Sequence, residues 1–133
     1  MPTTALPVGK IRVLIVDDSA NTTSALVEDL RNKANYEVQT VASSFETGMI
    51  AQKFAPHVML INLLAKDIDA AGICKSIRCD GDLQTIKIIA VSNRLSNSES
   101  TALLRLGFDG YVSFPCDAAE VIKKIEETIA IIY

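Results

Sequence analysis

The sequence predicts a single α/β domain in which five parallel strands form one sheet with helices packed on both faces. Strand-like and helix-like segments alternate along nearly the whole chain. Three of the strand-like segments are apolar at successive positions, which is typical of strands buried on both faces of a sheet. The chain has 133 residues, a length that fits one domain of this kind.

Each element is recognised from its apolar residues, which recur every three or four positions in helices and alternate or form short continuous runs in strands. In the first half of the chain these patterns predict strands at 11–16, 36–41 and 57–62 and helices at 20–33 and 44–54. Ser19 is placed to cap the first helix. One face of that helix carries Leu26, Val27 and Leu30, and one face of the second carries Phe45, Met49, Ile50 and Phe54.

In the second half the same patterns predict strands at 86–91 and 109–113 and helices at 69–79, at 96–106 and from 117 onward. Gly107 ends the middle helix, and Asp117 caps the last. The inward-facing residues are Ile73, Cys74 and Ile77 in the first of these helices and Val121, Ile122, Ile125, Ile129 and Ile132 in the last. Five strands and five helices in strict alternation predict a flavodoxin-like (βα)5 domain, doubly wound around a five-stranded parallel sheet.

Residues 1–10 contain two prolines and a glycine and predict a flexible lead-in or linker, so the domain spans 11–133.

Composition and charge exclude several functions. The net charge is −3 and there is no Trp, which leaves neither a basic face nor a stacking platform for nucleic acid. No apolar run approaches the roughly 20 residues that span a bilayer. The sequence therefore predicts a cytoplasmic protein without membrane contact.

The cysteines and the histidine do not predict a metal site. Cys74, Cys79 and Cys116 include no CxxC pair, and His57 is the single histidine. A zinc site needs about four close ligands, which this set does not supply. The cysteines are therefore interpreted as small, reduced, buried or half-buried hydrophobic residues, and His57 as a structural residue.

Polar residues end four of the predicted strands, and a parallel sheet brings these ends together at one edge. They are Asp17 and Asp18 after the first strand, Asn62 at the third, Ser92 at the fourth and Ser113 at the fifth. Two adjacent carboxylates repel each other unless a partner offsets their charge, and Mg²⁺ is the usual partner. The alternative is an acidic pair that only caps the following helix. The position at the end of a buried strand favours the metal site.

Several motifs resemble, in chain order, those of a two-component response-regulator receiver domain. They are IRVLIVDDS at 11–19, HVMLIN at 57–62, Ile68-Asp69, IIAVS at 88–92 and GFDGYVSFP at 107–115. The resemblance extends from about Lys10 to about Ile132. It implies the same flavodoxin-like fold and a part in phosphorelay signal transduction.

The resemblance also implies roles for individual residues. Receivers hold Mg²⁺ with an acidic pair, here Asp17 and Asp18, and use a hydroxyl at the end of the fourth strand as a switch, here Ser92. Tyr111 matches the aromatic switch position, with a half-buried strand aromatic as the alternative. Pro115 matches a proline whose peptide bond is often cis in the family.

Two departures from the family pattern determine the expected function. Asn62 stands at the phosphoacceptor position and Phe114 at the lysine position. An amide is a poor nucleophile compared with a carboxylate, and the loss of one negative charge weakens a Mg²⁺ site. The sequence is therefore identified as an atypical receiver, or pseudo-receiver, with a weak Mg²⁺ site if any. We expect it to act through protein–protein contacts without phosphorylation at position 62.

Two alternatives stay open. A working receiver would need another acceptor together with Mg²⁺, such as Asp67, Asp69 or Ser92. An enzyme is less favoured, because the first loop has neither the Asp-x-Asp spacing of a haloacid-dehalogenase-like phosphatase nor a Gly-rich phosphate cradle. The sequence therefore predicts a protein that is not an enzyme.

An interaction surface is expected on the face formed by helix 4, strand 5 and helix 5, where receivers commonly bind partners or dimerise. Leu103 and Leu104 are adjacent on the fourth helix and cannot both face the core, and the apolar tail adds Ile131 and Tyr133. The expected partner is another protein, a fused output domain, or a second copy bound through this face. The alternative for the tail is that it packs down onto the domain.

Overall fold

A computed structural model describes residues 9–18, 20–33, 35–113 and 117–130. Strands and helices alternate over these residues in the predicted order, and their bounds differ from the predicted ones by at most one or two residues. The elements are β1 (Ile11–Val16), α1 (Ala20–Arg31), β2 (Tyr36–Val41), α2 (Ser44–Phe54), β3 (Val58–Asn62), α3 (Ala70–Cys79), β4 (Lys87–Ser92), α4 (Asn97–Leu106), β5 (Gly110–Ser113) and α5 (Ala118–Ile129).

The five strands form one parallel sheet in the order β2-β1-β3-β4-β5. β1 pairs with β2 through Ile11 opposite Tyr36, and with β3 through Val16 opposite Ile61. The predicted flavodoxin-like fold class is therefore confirmed. In this strand order the sheet grows in opposite directions on either side of the β1–β3 pair, and doubly wound folds bind their ligands at such a switch point.

The sheet separates two hydrophobic layers, with α2, α3 and α4 on one face and α1 and α5 on the other. Nearly every residue of β1, β3 and β4 is buried, which explains their near-continuous apolar sequences. Alternate residues of these strands enter opposite layers, as Leu14, Met59 and Ile88 do on one side and Ile15, Leu60 and Ile89 on the other. Of the free cysteines that the structure describes, Cys74 is buried, as interpreted, but Cys79 is exposed.

The inward face of α2 matches the apolar face seen in the sequence only in part, because Phe54 is buried and Ile50 packs against the core as predicted. Phe45 is 80% exposed and Met49 is 47% exposed, whereas Thr47, Ala51 and Phe54 are buried. Thr47 and Ala51 keep the helical spacing of an inward face, although neither is a large apolar residue. The Thr47 hydroxyl is satisfied by a 2.8 Å hydrogen bond to a carbonyl of the preceding turn. Hydropathy alone favours the larger side chains, so it wrongly places Phe45 and Met49 inward and misses Thr47.

The predicted helix ends at Gly107 and Asp117 are present, and Asp69 and Ser96 cap two further helices. Asp69, Ser96 and Asp117 each accept a hydrogen bond from the backbone N–H three residues further on. Gly107 ends α4 with a φ of 111°, in the left-handed region that favours glycine. Ser19, the predicted cap of α1, lies outside the described residues.

The outer side of α4 carries two exposed leucines among polar residues. Leu103 is half-buried and packs against the core, while Leu104 is 57% exposed and Leu106 is 48% exposed. The two adjacent leucines therefore do point in different directions, as expected. Ile131 and Tyr133, which the sequence adds to this surface, lie outside the described residues.

His57 precedes β3 and links it to β1 through two hydrogen bonds. Its Nδ1 accepts a hydrogen bond from the backbone N–H of Arg12 at 2.9 Å, and its own backbone N–H donates to the Arg12 carbonyl at 2.9 Å. Burial, together with the positive charge of Arg12, lowers the pKa of His57 from its ordinary value. The neutral imidazole is thus the form that fits this position, in agreement with a structural role.

Because of His57, the fold is expected to lose stability as the pH falls below about 6.5, the ordinary pKa of histidine. The unfolded chain takes up the proton at a higher pH than the folded chain does. The stability that neutral His57 contributes is therefore present above that pH and is lost as the pH falls through the lower folded pKa. Urea titrations between about pH 7 and about pH 5 should show a steeper decline for the wild type than for His57→Asn. The asparagine Oδ1 can accept the same N–H, so an equal decline in both proteins would contradict the prediction.

Candidate functional site

Four polar residues meet where β1, β3 and β4 end. Asp17 and Asp18 follow β1, Asn62 is the last residue of β3 and Ser92 is the last residue of β4. Asp17 is 8% exposed, and Asn62 and Ser92 are each 4% exposed. Because a buried polar side chain is costly unless it is hydrogen-bonded, the hydrogen bonds of this cleft determine what it can do.

The Asn62 side chain bridges two parts of the cleft. Its Nδ2 donates to Asp17 Oδ1 at 3.1 Å, and its Oδ1 accepts from the backbone N–H of Leu64 at 2.9 Å. The reversed amide would set an oxygen against the Asp17 carboxylate and an NH₂ group against the Leu64 N–H, so both partners select the same orientation. Asn62 thus supplies a donor and an acceptor together, which an ionised aspartate cannot do.

Asp18 anchors the loop that connects β3 to α3. Its Oδ2 accepts from the backbone N–H of Lys66 at 2.8 Å and from that of Asp67 at 3.1 Å. Two N–H groups on one carboxylate oxygen make a charge-assisted contact between segments that are 48 and 49 residues apart. The acidic pair therefore has a use in this fold that differs from both metal binding and capping of α1.

Asp67 and Asp69, the alternative acceptors considered from the sequence, lie in the exposed part of this loop. The Asp69 carboxylate accepts the Gly72 N–H at 3.0 Å as the cap of α3, and the Asp69 backbone N–H donates to Ser44 Oγ at 2.9 Å. Asp69 is thus engaged at the junction of α2 and α3.

The remaining predicted site residues lie on or after β5. Tyr111 is half-buried and packs against the layer formed by α2, α3 and α4, which is the arrangement of a half-buried strand aromatic. Phe114 at the lysine position and Pro115, the cis-proline candidate, lie outside the described residues, as does Cys116.

The hydrogen bonds of the cleft do not match a preformed cation site. Mg²⁺ needs oxygen ligands whose lone pairs are directed at it. Asn62 directs its nitrogen at Asp17, and its oxygen accepts a loop N–H, as one oxygen of Asp18 also does. Among the residues that the structure describes, no group of three or more His, Cys, Asp or Glu residues could hold a metal ion. The cleft is a hydrogen-bonded polar cluster.

The sequence profile of the response regulator receiver domain matches residues 13–126. The chain belongs to this family. Receiver domains are generally non-enzymatic signalling modules of two-component systems, and they typically bind Mg²⁺ at the phosphorylation site. Over the described part of this receiver domain, no helix has both the length and the apolar character needed to cross a membrane.

Known proteins resemble this receiver domain in sequence and in structure. The probable transcriptional regulator ycf27 of Cyanophora paradoxa is 27% identical over 127 residues, which cover 93% of this chain and 50% of that protein. The DNA-binding dual master transcriptional regulator RpaA of Synechocystis sp. is 23% identical over 114 residues, which cover 86% and 47%. This chain therefore spans about half the length of the curated relatives it matches. The chemotaxis response regulator CheY4 of Vibrio cholerae has the same fold, with a TM-score of 0.81 at 22% identity over 90% of this chain and 98% of that one.

Sequence analysis missed one feature of the candidate site and one of α4. The first is the loop after β3, where Leu64, Lys66 and Asp67 contribute backbone N–H groups that any residue would carry. The second is Leu106, whose exposure follows from the same helical spacing that turns Leu103 inward. Counting positions along α4 could have found the second feature, but residue identity contains no information about the first.

Proposed function

We propose that this receiver domain is a phosphorelay signalling module that works without phosphorylation at position 62 and acts through protein–protein contacts. The observation that carries the proposal is the hydrogen-bonded amide of Asn62. It stands at the end of the third strand, where receivers carry the phosphoacceptor aspartate.

The chemistry of the amide supports this proposal. An acyl phosphate forms when a carboxylate oxygen attacks phosphorus. The oxygen of Asn62 belongs to a resonance-stabilised amide, which is a much weaker nucleophile. This oxygen also accepts the Leu64 N–H, and a hydrogen bond to its lone pair makes it a still weaker nucleophile. Phosphoryl transfer to position 62 is therefore not expected.

Any Mg²⁺ bound between Asp17 and Asp18 would be held weakly. The affinity of an oxygen site for a hard cation follows the number of charged ligands, and this cleft has two carboxylates where a receiver with an acceptor aspartate has three. Oδ2 of Asp18 also accepts two loop N–H groups. We propose that the module needs no cofactor for its signalling role.

The docking surface is proposed on the α4–β5–α5 face. Leu104 and Leu106 are exposed on α4, and on α5 Lys124 lies 3.9 Å from Glu127. A surface with exposed leucines and charges of both signs suits a protein better than a nucleic acid, which would require a basic surface. The curated relatives are regulators about twice as long as this chain. A fused output domain in the cytoplasm is therefore the favoured partner, and a second copy bound through the same face is the alternative.

The proposal is tested by incubating the wild type with MgCl₂ and acetyl phosphate and measuring its intact mass. We expect no added phosphoryl mass, under conditions that fully phosphorylate a receiver with an acceptor aspartate. A stoichiometric adduct that hydroxylamine removes would overturn the proposal in favour of a working receiver. Peptide mapping would then choose among Asp17, Asp18, Asp67 and Asp69, whereas an adduct that resists hydroxylamine would indicate Ser92.

A further inference from the structure

We infer that the Asn62 side chain replaces the divalent cation as the group that holds this cleft together. The inference rests on the proposal that position 62 carries no phosphoryl group, and it extends that proposal to the metal dependence of the fold. It follows from the charges in the cleft and from the groups that each end of the amide binds.

The Asp17–Asn62 contact removes a charge conflict that would otherwise require a cation. The two residues lie side by side because β1 and β3 pair in parallel, with Val16 opposite Ile61. Their side chains meet at 3.1 Å, and both are almost completely buried. Two carboxylates at such a distance, with so little water around them, would repel each other strongly, and a cation is the usual remedy. The amide removes the second charge and puts a hydrogen-bond donor in its place.

The β3–α3 loop is held by the same set of side chains. Asn62 Oδ1 accepts the Leu64 N–H, and Asp18 Oδ2 accepts the N–H groups of Lys66 and Asp67. Three backbone donors of the loop are therefore bound by oxygens that a cation would otherwise compete for. The loop keeps its position through hydrogen bonds within the protein, so its order should not depend on Mg²⁺.

The experiment measures the thermal unfolding midpoint, Tm, in EDTA and in excess MgCl₂. The Tm of the wild type is expected to be the same in both solutions. Asn62→Asp should lower the Tm in EDTA by about 5 °C or more, because it buries two facing carboxylates, and MgCl₂ should restore it.

An exchange variant tests whether the amide acts through its charge and hydrogen bond rather than its volume. Asp17→Asn combined with Asn62→Asp again places one amide against one carboxylate, with the Leu64 N–H facing the carboxylate. In EDTA this variant should regain most of the Tm that Asn62→Asp loses. Asn97→Asp makes the same chemical change at an exposed residue at the start of α4, and its Tm should not respond to MgCl₂.

Two outcomes would overturn the inference. One is a wild-type Tm that rises with MgCl₂ as much as that of Asn62→Asp. The other is an exchange variant as unstable in EDTA as Asn62→Asp, which would mean that position 62 contributes through packing alone. If Asn62→Asp does not fold in EDTA, the exchange variant decides in the same way, since restored folding supports the inference and continued failure overturns it. These Tm measurements use no phosphodonor, so failure of the inference is distinguishable from a phosphoryl adduct on the wild type, which would remove the proposed function.

Discussion

Replacing Arg78 by alanine is expected to lower the free energy of unfolding by about 3 kcal/mol, the loss typical of breaking a largely buried ion pair. The Arg78 guanidinium joins α3 to the turn before β4 and to the turn before β5. Its Nη2 lies 2.7 Å from Asp109 Oδ2 and 2.7 Å from the Gly107 carbonyl, and its Nε donates to that carbonyl at 2.9 Å. Its Nη1 donates to the carbonyls of Ile86 at 2.6 Å and Gln84 at 2.8 Å.

The cost is large because the ion pair between Arg78 and Asp109 is largely shielded from water. The side chain of Asp109 is 8% exposed and that of Arg78 is 25% exposed. Without the guanidinium, the Asp109 carboxylate keeps the Ile88 N–H at 2.8 Å but loses its ion pair. Several backbone carbonyls lose a charged donor at the same time, and unsatisfied buried groups are penalised by their desolvation.

Urea denaturation of matched variants measures this effect. Arg105→Ala makes the same chemical change at an exposed residue of α4 and should alter the free energy of unfolding by no more than about 0.5 kcal/mol. Arg78→Lys should fall between Arg78→Ala and the wild type, because an ammonium group cannot reach carbonyls on several sides as the planar guanidinium does. A loss below about 1 kcal/mol in Arg78→Ala would show that the cluster is replaced by water at little cost.

The elements of the fold could be predicted because local patterns determine them. Strands buried on both faces must be continuously apolar, and helix starts need a small polar cap, as Asp69, Ser96 and Asp117 provide. The inward face of α2 could be predicted only in part, since Ile50 and Phe54 pack inward but Phe45 and Met49 do not. Thr47 and Ala51 are buried because they are small, and their advantage depends on how closely the sheet approaches.

The contacts that join distant parts of the chain were beyond sequence analysis for a different reason. Arg78 binds mostly backbone carbonyls, and Asp18 binds backbone N–H groups. Nearly every residue carries the same backbone groups, so no sequence motif indicates which of them will form these hydrogen bonds. For Asn62, the strand pattern predicted its place at the switch point, but the direction of its amide follows from the Leu64 N–H and the Asp17 carboxylate. The sequence therefore predicted the location of the cleft but not the hydrogen bonds within it.

The largest functional change is expected from restoring the two residues that depart from the receiver pattern. Asn62→Asp alone should recover Mg²⁺ binding, since it returns a third carboxylate to the cleft, but it should be phosphorylated only poorly by acetyl phosphate. Adding Phe114→Lys should raise the initial rate of phosphorylation about tenfold to a hundredfold, which is the effect of one charged hydrogen bond of about 1.5–3 kcal/mol to a phosphoryl oxygen. Intact-mass spectrometry over time measures both rates.

The companion variant Asn62→Asp with Phe114→Leu separates the charge of the lysine from the removal of an aromatic ring. It should be phosphorylated as slowly as Asn62→Asp alone, because leucine offers no donor to a phosphoryl oxygen. Peptide mapping should place the adduct at position 62 in every phosphorylated variant. If Asn62→Asp with Phe114→Lys takes up phosphate no better than the wild type, then the cleft at the ends of β1, β3 and β4 is not the site from which receiver chemistry was lost. The argument from the amide of Asn62 would then fail.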